Sequence, residues 1–483
     1  MSADQIGFAL LILGLFLLVG KVIRVKVGFV QRLFLPSSII AGVLALLLGP
    51  QVLGALAEQA GYDGFSEAGI FTPEMLDVWA ALPGLLISIV FATLFLGKDI
   101  PTPKRAATLV GPQLSLGFAL GSGMYVVGLL VAVLILVPFF SSSPMMGALL
   151  EIGFEGGHGT AAGMRGVMEE LGFEDGADLA LGLATVGLLA GIIIGIALIN
   201  WGVRSGKTEL LKGDVKASVD EQKGLFAKDE NYPAGEMTTR PASIEPLSLH
   251  VAIVAVAILI GWVILEALRW VEAQTYGGED AAFELFTFVP LFPLALLGGV
   301  ILQLIAKKMG AAHLVDHQIM LRIQGLALDF LILSALATLS LSAIGSNFAP
   351  FVILAIVGIA FNVAIFVIFA PRIIPRYWFE RGIGDFGQSM GVTATGLILM
   401  RITDPESESP AFEAFGYKQL VFEPIFGGGL VTAAAIPLIY ATGPYPLLIA
   451  MTIMFALSIG LGLWFFGRNK KEAAEAEEAV EAT

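Results

Sequence analysis

Two short stretches carry polar side chains and clustered glycines within an otherwise apolar chain. The first runs Gly153-Phe154-Glu155-Gly156-Gly157-His158-Gly159-Thr160-Ala161-Ala162-Gly163-Met164-Arg165, and the second Gly384-Asp385-Phe386-Gly387-Gln388-Ser389-Met390-Gly391-Val392-Thr393-Ala394-Thr395-Gly396. Asp385 with Gln388 beside it offers oxygens suited to a small cation. Glu155 can take a cation or a proton, and the hydroxyls of Thr160, Ser389, Thr393 and Thr395 can ligate either a cation or a substrate. Arg165 is the group for bidentate pairing with a substrate carboxylate. His158 can donate to a carboxylate or respond to pH. Gly156, Gly157 and Gly159 let the backbone come close to a ligand.

Each of these residues also has a plainer reading. Ser and Thr hydroxyls in apolar helices often bond their own backbone, Asp385 can cap a helix, and Arg165 can anchor at the external interface. His158 can hold a carbonyl. Glu151 lies four residues before Glu155, so the two share a helix face and can pair with Arg165 or His158. Asp329 and Asn362, set in apolar segments, are expected to face the bundle interior.

The elements that must position these groups are membrane spans. The chain has 483 residues, 57% of them apolar and only 14% charged, with mean hydropathy +0.85. That composition, with many apolar windows of span length, makes an all-α polytopic membrane protein. There is no cysteine, which excludes disulfides and thiolate-held metals. The four histidines show no transition-metal spacing, and His313 and His317 read as a solvated pair. The net charge of −14 argues against nucleic acid as a partner. No nucleophile–base pair points to an enzyme.

Apolar segments at about 6–20, 34–56, 79–97, 107–137 and 179–202 precede a polar linker, 204–246. Others at about 247–269, 286–305, 323–344, 350–370, 421–441 and 445–467 follow it. Lys and Arg alternate between loops, which orients the chain with its N-terminus external and its C-terminus cytoplasmic. On this map every Lys and Arg of the 27 is cytoplasmic except Arg165 and Arg269. The first polar stretch then enters from outside and returns there, and the second does the same from the cytoplasm. The expected plan is a first membrane repeat at 1–203, the linker, a second and inverted repeat at 247–441, a final span at 442–467 and an acidic tail at 468–483. Each repeat has about five spans and one re-entrant or broken segment, a frequent plan of secondary transporters. Thr160-Ala161-Ala162-Gly163 lines up with Thr393-Ala394-Thr395-Gly396, 233 positions on.

At these residues the chain resembles the sodium/glutamate symporter family. The likeness rests on Gly156-Gly157-His158-Gly159-Thr160-Ala161, on Phe91-Ala92-Thr93 and on Thr393-Ala394-Thr395-Gly396. The resemblance implies Na⁺-coupled uptake of L-glutamate, or a closely related amino acid or dicarboxylate, by a homodimer in the cell (inner) membrane. It also implies an elevator-type division into a scaffold and a moving part that carries both broken segments. The substrate would lie around Gly156–Thr160 and Gly391–Gly396. The segments at 6–20, 34–56, 247–269 and 286–305 are expected in the scaffold. Glu155, Arg165 and the Gly384–Gln388 lead-in depart from the family pattern, and they bear on the substrate more than on the architecture. A proton-coupled organic-anion carrier of the same fold is the alternative, and a channel a further one.

Overall fold

The computed structural model describes residues 3–98, 103–211, 223–226, 233–275, 286–404, 408–468, 470 and 475. The acidic loop residues Glu279, Asp280 and Glu284, the linker lysines Lys212 and Lys216, and most of the tail 468–483 lie outside the described residues. Every regular element among the described residues is helical.

In chain order the principal helices are α1 (Ala3–Lys26), α2 (Ser37–Leu48), α3 (Pro73–Thr93), α4 (Pro103–Val131), α5 (Gly157–Gly163) and α6 (Gly176–Arg204). After the linker come α7 (Pro246–Thr275), α8 (Leu291–Lys308), α9 (His317–Ala337), α10 (Phe348–Ile373) and α11 (Trp378–Thr403). The last are α12 (Ala411–Phe422), α13 (Leu430–Thr442) and α14 (Pro444–Leu461). Local chemistry sets several ends. Thr72 caps α3 ahead of Pro73, and Asp316 caps α9 by accepting from the Ile319 amide at 2.8 Å.

Ten of the described helical segments are long and apolar enough to cross a membrane, so the chain is a multi-pass membrane protein. They coincide with ten of the eleven expected apolar segments. The exception is 421–441, where α12 stops at Phe422 and α13 starts at Leu430. Gly427 and Gly428, both at positive φ, carry the chain through the gap, which helix-forming residues would not do.

The chain packs into two compact units. Unit 1 comprises Met1–Lys98, His158–Glu170 and Ser218–Ser346, and unit 2 comprises Asp99–Gly157, Leu171–Ala217 and Asn347–Thr483. Each draws spans from both sides of the linker.

Unit 1 holds α1, α2, α3, α7, α8 and α9. Its helices approach closely where small residues meet, as lipid-embedded packing requires. A Cβ on Gly298 would lie 2.0 Å from the Ala257 carbonyl, and one on Gly299 would lie 2.4 Å from that of Ala92. Trp79 is fully buried and donates its indole N–H to the Ala9 carbonyl at 3.1 Å. Asp329 is exposed, unlike the expectation from its apolar surroundings. His317 bonds the Leu96 carbonyl at 2.8 Å and His313 the Gly310 carbonyl at 3.0 Å. His317 thus ties α9 to the segment after α3, 221 residues away in the chain, and the solvated reading fits His313 alone.

Unit 2 holds α4, α6 and α10–α14. One face of α6 is lined with glycine, and α11 lies along it. A Cβ on Gly187 would lie 2.3 Å from the Met390 carbonyl, and one on Gly195 would lie 2.5 Å from Leu399.

Candidate functional site

The second polar stretch is a helical hairpin. α11 loses helical geometry only at Gly391 (φ −156°, ψ 46°) and Val392 (φ 60°, ψ 174°). In a continuous helix, Gly387 and Gly396 would be roughly 13 Å apart along the axis. Here a Cβ on Gly387 would lie 2.7 Å from the Gly396 Cα. A Cβ on Gly384 would likewise lie 2.3 Å from the Met400 sulfur. The two limbs therefore run side by side with their tip at Gly391-Val392. Gly396 is accounted for by this packing, since its Cβ would meet the Gly384 carbonyl at 2.4 Å. The glycines of the Gly384–Gln388 lead-in sit within regular helix and do not break it.

The first stretch is also interrupted. A π-helical segment, Glu151–Glu155, gives way at Gly156, and α5 begins at Gly157 with φ +68°. A Cβ on Gly157 would lie 2.2 Å from Cγ1 of Val392. The two breaks thus meet inside unit 2, and Gly157 is the residue that permits it.

Beneath the breaks, unit 2 buries an unusual number of ionisable groups. Glu151, Glu155, Asp385, Lys418, Arg381 and Glu423 are all at most 7% exposed. Glu151 is well held. It accepts from the Tyr125 hydroxyl at 2.6 Å, the Gly427 amide at 2.8 Å and the Thr432 hydroxyl at 2.8 Å. Glu155 differs, because its buried Oε2 makes no hydrogen bond. Gly121 leaves room for that oxygen, since a Cβ there would lie 3.0 Å from it.

Asp385 and Gln388 converge as the sequence suggests, but on a partner that charge patterning places in the cytoplasm. Lys418 on α12 donates to Asp385 Oδ1 at 2.7 Å and to Gln388 Oε1 at 2.7 Å. Gln419 shares Gln388 Oε1 at 2.9 Å. Arg381, also read as cytoplasmic, is wholly buried and donates to Gln113 Oε1 at 3.4 Å. Both burials have one cause. A cation inside a bundle is tolerated where carboxylate and amide oxygens face it, and charge counting along the sequence cannot see such partners. Glu423 accepts from the Thr393 hydroxyl at 3.0 Å, tying the end of α12 to the start of the second limb of the hairpin.

Two of the candidate hydroxyls follow the plainer reading. Ser389 donates to the Phe386 carbonyl at 3.1 Å and Thr395 to the Gly391 carbonyl at 2.5 Å. Asn362 is buried as expected and donates to the Ser389 carbonyl at 3.3 Å.

Unit 2 therefore brings together Glu155, Gly156, Gly157, Asp385, Gln388, Ser389, Gly391, Thr393, Thr395 and Gly396. His158, Gly159, Thr160 and Arg165 belong to unit 1. There Gly159 packs on Ile87, with its Cβ position 3.1 Å from Cδ1. The Thr160 hydroxyl is buried without a hydrogen-bond partner, and Arg165 lies 3.7 Å from Glu169. The sequence reading missed the roles of Lys418, Gln419, Gln113, Tyr125 and Thr432. A Lys-Gln pair within an apolar run was the one available signal.

Ten membrane-length helices among the described residues, a helical hairpin and paired backbone breaks over a buried charged core fit a transporter. The sodium/glutamate symporter family matches residues 5–402, and the chain belongs to it. Compared with curated proteins, the chain finds no matching relative. Lys418, Gln419, Glu423, Gly427 and Thr432 all lie beyond the matched residues.

Proposed function

We propose that the protein is a Na⁺-driven symporter of L-glutamate, or of a closely related small anionic amino acid or dicarboxylate. The observation that carries this reading is the meeting of the two breaks, Gly157 against Val392, over a membrane-buried core rich in carboxyl groups. At Gly391 and Val392 the helix is interrupted and the second limb starts anew, and the N-terminal end of a helix favours an anionic substrate. Gly156, Gly157, Gly391 and Thr393 are the unit 2 candidates for substrate contact. His158, Gly159, Thr160 and Arg165 enter as unit 1 candidates from the family likeness, to be tested by their own substitutions. Glu155, with Oε2 unpaired, is the candidate for the coupling cation. A cation that raises substrate affinity must, by linkage, bind more tightly when substrate is present.

The rest of the proposal concerns architecture. Each unit draws spans from both sides of the linker, which supports two inverted repeats interleaved into a scaffold and a transport part. Unit 1 takes the scaffold role and unit 2 the elevator, in a homodimer in the cell membrane with an external N-terminus and a cytoplasmic C-terminus. Proton coupling is the second reading, favoured by the same unpaired Glu155 oxygen. Uptake of labelled L-glutamate into proteoliposomes tests both. An inward Na⁺ gradient should drive accumulation that disappears with choline. Accumulation that persists in choline under a proton gradient would transfer the coupling to protons. Flux without uphill accumulation under either gradient would mark a channel.

A further inference from the structure

Asp385 and Gln388 make the kind of oxygen pair that a small hard cation selects, one carboxylate and one amide carbonyl close together. In this protein the place between them is filled by a side chain. The Lys418 ammonium lies 2.7 Å from Asp385 Oδ1 and 2.7 Å from Gln388 Oε1. Its side chain is 1% exposed, and that of Asp385 is not exposed at all. The rest of the enclosure suits a monovalent charge. The Phe422 ring centre lies 4.4 Å from Nζ and that of Phe415 lies 5.3 Å away, each offering the negative face of its π-system. Gly117 lacks the Cβ that would press on the ammonium from α4, at 3.0 Å. The other charged groups around this core are the acidic Glu151, Glu155 and Glu423 and one cation, Arg381, on the Asp385 side. A lysine here is a point charge on a flexible stem, held by the backbone of α12 rather than drawn from solution.

We infer that Lys418 is a tethered cation, standing permanently in an alkali-cation site formed by Asp385 and Gln388. This rests on the symport reading and deepens it. The site takes no Na⁺ in the native protein, and the transported cation uses the Glu155 carboxyl, whose Oε2 makes no hydrogen bond, instead. Tethering removes one ion from the coupling stoichiometry while keeping the hairpin limb and α12 pinned together.

Substituting Lys418→Ala should expose the site. The purified variant and the native protein are titrated with Na⁺, against K⁺ and choline, with thermal unfolding as readout. The variant should gain a Na⁺-specific rise in melting temperature that the native protein lacks at the same concentrations. In proteoliposomes the Hill coefficient for Na⁺ should rise by about one. Adding Asp385→Asn should abolish the gain, because the remaining amide oxygens are weaker ligands. Identical Na⁺ responses of variant and native protein would overturn the inference. If Lys418→Ala unfolds on extraction, recovery by Na⁺ but not choline supports it, and failure at every Na⁺ concentration counts against it. The melting titration is independent of transport. Native protein that fails to accumulate glutamate would sink the symport reading and leave this one standing or falling on its own data.

Discussion

Gly157 and Val392 stand against each other where the helical backbone of unit 2 gives way, and each has positive φ, +68° and +60°. The valine conformation is strained, because a β-branched residue seldom adopts it. Strain of this kind persists only where surrounding structure enforces it. The contact itself supplies that enforcement, since the Val392 side chain fills the place a Cβ on Gly157 would take.

Gly157→Ala should therefore lower gradient-driven uptake by about tenfold or more, combining a clash with a cost of roughly 1–2 kcal/mol for the left-handed backbone. Val392→Gly should restore part of that loss in the double variant by removing Cγ1 and relieving its own strain. A double-mutant cycle on uptake measures the coupling. Gly166→Ala is the control, because nothing lies within 4 Å of a Cβ there. Simple additivity of the two losses would contradict the contact.

Glu155→Gln should separate exchange from accumulation. The substitution preserves shape and removes a charge whose Oε2 has no hydrogen bond. Exchange of labelled for unlabelled glutamate should persist in the variant, while Na⁺-driven accumulation falls at least roughly tenfold, a loss worth about 1.4 kcal/mol of coupling. Accumulation at native levels would remove Glu155 from the coupling role.

Tyr125→Phe tests how Glu151 is held. The hydroxyl donates to a fully buried carboxylate, leaving only the Gly427 and Thr432 donors once it is gone. Removing one charge-assisted bond of this type costs about 1.5–3 kcal/mol. The apparent melting temperature should fall, and Thr432→Val should lower it too. An unchanged melting temperature in Tyr125→Phe would mean that water replaces the phenol.

Trp79→Phe probes unit 1. The indole N–H reaches the Ala9 carbonyl at 3.1 Å and the ring packs edge-on against Phe71, with centroids 4.7 Å apart. The loss should be about 1–2 kcal/mol, visible in thermal unfolding. The Na⁺ dependence of uptake by the folded protein should be unaltered, because the residue lies far in sequence from both breaks. A changed Na⁺ dependence would give this tryptophan a part in coupling.

What the sequence by itself determined follows from local properties. Hydropathy over windows of span length fixed the membrane class and ten of the apolar segments, because the cost of exposing polar backbone to lipid leaves a helix as the only spanning form for such a run. Glycine density marked where two helices break, since each glycine weakens a helix wherever it lies. The segment 421–441 misled because hydropathy outweighed that signal. Its mean hydropathy is that of a span and hides Glu423-Pro424 and the run Gly427-Gly428-Gly429, where the helix stops and the Gly427 amide bonds Glu151, 276 residues away in the chain. Tertiary structure alone decided which polar groups meet. Asp385 reads as a cation ligand from its type, yet the cation is Lys418, 33 residues on. The contact of Gly157 with Val392, the packing of Gly396 on Gly384 and the isolation of the Glu155 oxygen were likewise invisible. A buried charge is stabilised by whatever oxygen or ammonium the packed helices bring within about 3 Å, and sequence spacing does not encode that distance.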